Sequence, residues 1–138
     1  MSRIIKPDTA GKDRNRLMKA VAIVLRELVK QPDITAETRE LAAFIALALV
    51  EIHETIDPSV LAWEKRGYWV KADRFRMDWA WSGQQGSKMR KAITEDDWAG
   101  VALVASEIAK KVNNVKIPMQ NRSGTPWTGA YQKLLKLS

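Results

Sequence analysis

Ten consecutive apolar residues, LAAFIALALV at 41–50, constrain this chain more than any other stretch. A membrane-spanning helix needs about 20 such residues, so the run is too short to cross a bilayer. Wound as a helix it is apolar on every side, and such a helix has to be buried over most of its circumference. Any fold open to the chain must therefore wrap its other elements around this segment. Asp33 or Thr35 can accept bonds from the unpaired N–H groups at its start. Glu37 and Glu40 suit the positive end of its dipole, and Asp57-Pro58 closes it. The central helix is thus expected over 35–56.

A first helix is predicted over 11–30. Leu17, Val21, Val24, Leu25 and Leu28 fall on one arc at about 100° per residue, and Gln31-Pro32 stops the pattern. Lys12, Arg16, Lys19, Arg26 and Lys30 fall on the opposite arc, interrupted only by Ile23. Arg14, Arg3 and Lys6 would extend that cationic stripe.

The segment YWVKADRFRMDWAW at 68–81 holds three of the six tryptophans and reads in two ways. Phe75, Met77, Trp79 and Trp81 alternate as a strand would. Taken as a helix from Pro58, however, Leu61, Tyr68, Ala72, Phe75 and Trp79 line one face. Trp63, Val70, Met77 and Trp81 line a second, nearly opposite one. A lone strand has nothing to pair with, because SKMRKAI at 87–93 carries no matching alternation, so a single helix over 58–81 is expected. Gly67 costs a helix interior about 1 kcal/mol relative to alanine and marks where a kink would fall. Gly83 and Gly86 are expected to end this helix, with one or two helical turns in SKMRKAI.

A fourth helix is predicted over 94–112, with Thr94 as cap and Asp97 three residues on. Trp98, Val101, Ala105, Ile108 and Val112 form its apolar stripe, and Lys110 and Lys111 suit its negative end. Pro118, Gly124, Pro126 and Gly129 then mark an irregular tail over 113–138, with Tyr131, Leu134, Leu135 and Leu137 in a last docking turn. The reading is all-α: one domain, a bundle of four main helices, a flexible arm over 1–10 and an irregular C-terminal tail. Short links at 31–34 and around Asp57 predict antiparallel neighbours for the first three helices.

The chemistry is mostly exclusion. Without cysteine there is no disulfide, thiolate metal site or cysteine nucleophile, which fits a cytoplasmic protein. The amino terminus is too polar for a secretory signal. HETID at 53–57 is half of a zinc-protease motif, but Asp57 stands where the second histidine belongs and His53 is the only histidine. SGQQGSK at 82–88 has two residues between its glycines where a phosphate loop needs four. No serine sits in a nucleophile elbow for His53 to serve. Glu51, Glu54 and Asp57 share a helical flank, which leaves a carboxylate-site metal-dependent enzyme as the least favoured reading.

The net charge of +7 favours polyanions or acidic partners. The leading expectation is a non-enzymatic basic module, a small subunit or adaptor without catalytic residue, metal or cofactor. It docks through the aromatic seam of Trp63, Val70, Met77 and Trp81, on a protein partner or on itself as a dimer. It offers Lys12, Arg16, Lys19, Arg26 and Lys30 to nucleic acid, and it has no membrane partner. The alternative is a purely structural or protein-interaction domain whose charge serves solubility.

Overall fold

The computed structural model describes residues 7–120 and 124–137. They form only helices and connections: α1 (Pro7–Val29), α2 (Ala36–Glu54), α3 (Ile56–Lys65), α4 (Trp69–Thr94), α5 (Trp98–Val112) and α6 (Ala130–Lys136). The all-α class follows directly. Arg3 and Lys6 lie outside the described residues.

The apolar run is the centre of the molecule. Leu41, Ile45, Leu49 and Ile52 stack along α2 and are completely buried, each contributing roughly 1.5–3 kcal/mol by burial. Thr35 caps this helix. Its hydroxyl accepts from the Thr38 amide at 3.3 Å while the Thr38 hydroxyl accepts from the Thr35 amide at 3.0 Å, a reciprocal box that satisfies two end donors. The most extensive contacts of α2 are with α4, then α1, then α6. On α1, Leu17, Val21, Val24, Leu25 and Leu28 are buried as the arc requires. On α5 so are Val101, Ala105, Ile108 and Val112.

Three expectations about the middle of the chain are corrected. The helix over 58–81 is two helices. Gly67 has φ +81°, a left-handed conformation that only glycine adopts without strain, and the chain leaves α3 there and restarts at Trp69. The helix also does not end at Gly83 and Gly86: α4 runs through both to Thr94, absorbing SKMRKAI. Gly86 is buried on α2, where a Cβ would stand 3.2 Å from the Leu49 Cβ, so its missing side chain lets the helices approach. Ser82, also fully buried, bonds the Trp79 carbonyl at 2.7 Å on the same side. Packing on α2 overrides the low helix propensity of the glycines.

The third correction concerns connections. α2 and α3 are separated by Thr55 alone, whose own backbone is nearly helical (φ −77°, ψ −13°). One such residue bends the chain without reversing it, so α3 packs on α4 and α1 and touches α2 little. At the other end of α4, the cap of α5 is Asp97, which accepts from the Gly100 amide at 3.0 Å; Thr94 instead closes α4. In the tail, Glu40 accepts from the Gly129 amide and, at 2.9 Å, from the Tyr131 amide. That fixes α6 on α2 and buries Leu134, while Leu135 and Leu137 stay exposed.

Arg14 is buried, contrary to its place in the expected cationic stripe. Its Nη1 donates to the Thr55 hydroxyl at 3.1 Å, to the Thr55 carbonyl at 3.3 Å and to the Ser59 hydroxyl at 3.3 Å. Its guanidinium carbon lies 4.7 Å from the ring centre of Phe75 and 5.3 Å from that of Trp79. Burial pushes its pKa down from the ordinary arginine value, which is too high for the group to lose its proton at physiological pH. One cation thus ties α1 to the α2–α3 joint and to α4.

Around it gathers a small second cluster, with Ile56, Val60 and Ala72 buried and Trp63 and Phe75 against them. Trp79 packs on both this cluster and the main core. Arg14→Lys keeps the charge but loses the flat fork that stacks and donates together. It is expected to lower stability by about 1–3 kcal/mol in urea unfolding followed by tryptophan fluorescence. A change below about 0.5 kcal/mol would show that Arg14 is a bystander.

Candidate docking surface

The first-helix cations do not form one continuous stripe. Lys12, Arg16, Lys19 and Lys30 are exposed, with Arg16 3.8 Å from Asp13 and Lys30 3.6 Å from Glu27. Arg26 is largely buried, its side chain 24% exposed, and its Nη1 donates to the carbonyl of Pro118, so the tail crosses the stripe at this point. Ile23, which interrupts the stripe in sequence, is buried. The run that the tail leaves uncovered is therefore the N-terminal part, Lys12, Arg16 and Lys19. Arg16 also borders a cleft of about 340 Å³ between α1, α2 and the segment leading into α6, with Phe44, Glu51 and Lys133.

The expected seam of Trp63, Val70, Met77 and Trp81 is not one surface. The break at Gly67 puts Trp63 on α3 and the other three on α4, so helical spacing no longer relates it to them. Trp63 turns inward, its ring centre 5.1 Å from that of Phe75 in an edge-to-face arrangement. Trp81 is half buried against the main core and stacks on Trp79 at 6.1 Å. Val70 and Met77 do face outward, 74% and 78% exposed.

Trp69, the first residue of α4, is 60% exposed and stands about 100° around the helix from Val70, on the flank of that outer line. Tyr68, just before it, is 52% exposed, with the Lys71 ammonium 5.6 Å from its ring centre. Two large apolar side chains in line two turns apart, with an exposed tryptophan on their flank, make a patch, whereas singly scattered ones are ordinary. Asp73 and Arg74 lie between them along the helix. Asp73 Oδ1 is held at 3.2 Å by Arg76, which also reaches Glu64 on α3 at 3.3 Å.

Trp69 has no place on either face of a single unbroken helix, so periodicity alone does not single it out. Arg14 is legible in the sequence: it falls three, seven and eleven residues before Leu17, Val21 and Leu25, on the apolar arc.

The remaining chemistry-bearing residues stay apart. Glu51 borders the cleft beside Arg16, whereas Glu54 and Asp57 are exposed on either side of the Thr55 bend. Among the described residues no group of three or more His, Cys, Asp or Glu side chains could hold a metal ion. His53 lies exposed in the last turn of α2 beside Gly83, and SGQQGSK is helix interior. No described helix is long and apolar enough to cross a membrane. No protein-family model, curated protein or solved structure matches the chain, so these surfaces stand on their own chemistry.

Proposed function

We propose that the chain is a small helical subunit or adaptor that docks on protein through the outer side of α4. The observation that carries this reading is the joint exposure of Trp69, Val70 and Met77 on a helix whose inner residues there, Ala72 and Phe75, pack on α3. Leaving these side chains in water forgoes roughly 1.5–3 kcal/mol each for valine and methionine, which a partner surface recovers. An aromatic and a methionine beside an arginine are also the residue types favoured at the centres of interfaces.

A photo-crosslinking residue at Met77, in the cells that make the protein, is expected to give one discrete protein adduct. The same residue at Leu103, an equally bare apolar position on α5, is expected to give none. Equal yields at the two positions, or none at 77, would remove the docking reading.

A second reading, nucleic-acid binding, draws support from Lys12, Arg16 and Lys19 on successive turns of α1 and from the absence of any Asp or Glu after Glu107. Lys133, from that acid-free stretch, borders the same cleft as Arg16. Changing Lys12, Arg16 and Lys19 to glutamate should flatten the salt dependence of oligonucleotide affinity, by about 0.9 in log–log slope for each phosphate no longer neutralised. An unchanged slope would exclude these residues as the binding surface.

A further inference from the structure

The outer strip of α4 is complementary to itself. Val70 and Met77 are seven residues apart, so they stand almost in line along the helix, two turns from each other. At about 100° per residue, Asp73 and Arg74 lie roughly 50° to either side of that line, at nearly the same height. A surface that binds its own copy about a two-fold axis must present matching groups on the two sides of the axis. This strip does so in one orientation only.

Resting on the docking reading above, we infer that the partner of α4 is a second copy of this chain, packed α4 against α4 with the two helices parallel. With the two-fold axis running alongside the helices, Val70 meets Val70 and Met77 meets Met77 of the second copy. Each flank then faces the opposite flank, so Asp73 of one chain stands beside Arg74 of the other, twice. Asp73 has a carboxylate oxygen to offer, because the ion pair with Arg76 uses Oδ1. Trp69, on the same flank as Asp73, presents its ring to the same incoming guanidinium. An antiparallel pairing would set Asp73 against Asp73 and Arg74 against Arg74, which repel.

The strip spans fewer than three helical turns of unpaired surface, smaller than the roughly 1,000 Å² that a tight interface buries. The dimer is therefore weak, with a dissociation constant on the order of tens of micromolar.

Sedimentation of the purified full chain, from roughly micromolar to about 1 mM, tests this directly. The wild type should pass from monomer to dimer over that range. Asp73→Arg and Arg74→Asp should each weaken association about tenfold or more, because both pairs turn repulsive. An equimolar mixture of the two variants should associate again, since a chain carrying Arg at 73 and 74 complements one carrying Asp at both. Circular dichroism checks the fold. Should Asp73→Arg unfold the chain, Arg74→Asp and Val70→Glu carry the test, since Arg74 takes part in none of the ion pairs among the described residues.

A wild type that stays monomeric at the highest concentration overturns the proposal, as does a dimer indifferent to Arg74→Asp and Val70→Glu. A monomeric wild type with a crosslink from position 77 to a different protein sinks self-pairing and leaves the docking reading in place. Neither dimer nor adduct sinks both.

Discussion

The packing of α2 on α4 is the constraint from which the rest of the molecule follows. An all-round apolar helix needs cover on every side, and α4 supplies the largest share of it. It can do so because Gly86 presents no side chain against α2, where a Cβ would come within 3.2 Å of the Leu49 Cβ. The glycines that look like a terminator in one dimension are the seat of the helix in three. The outer side of the first turns of α4 stays exposed, and Val70 and Met77 remain in water.

The N-terminal half of α4 needs a second support, because α2 gives way to α3 through a single residue. That support is Arg14, a cation drawn into the interior and held by hydroxyl and carbonyl oxygens and by two aromatic faces. Taking a charge out of water is costly unless hydrogen bonds and polarisable neighbours replace the lost hydration. Thr55 and Ser59 provide the first, Phe75 and Trp79 the second. The aromatics of the tryptophan-rich segment are therefore mainly structure: Trp63, Phe75, Trp79 and Trp81 all contact one another or the core, and of these rings only Tyr68 and Trp69 turn outward.

Much of the fold is legible in the sequence because periodicity reports burial. The apolar arcs of α1 and α5, the buried run of α2 and the capping role of Thr35 all follow from local pattern. What local pattern misses is set by tertiary packing. Nothing local distinguishes Gly67, which ends a helix with positive φ, from Gly86, which is helix interior; only their surroundings do. Misplacing the break joins Trp63 to a seam it does not share. The cationic stripe is right in angle but not in cover, since the crossing of the tail at Pro118 is a long-range event.

Amide hydrogen exchange across residues 83–89 tests the seating of α4 on α2 most directly. If Gly86 is packed against Leu49 within one continuous helix, these amides should exchange as slowly as those of α2, only when the bundle as a whole unfolds. Exchange at the rate of an open linker, with slow amides on either side of it, would mean that the glycines break the helix and that Gly86 is not the seat of α4 on α2.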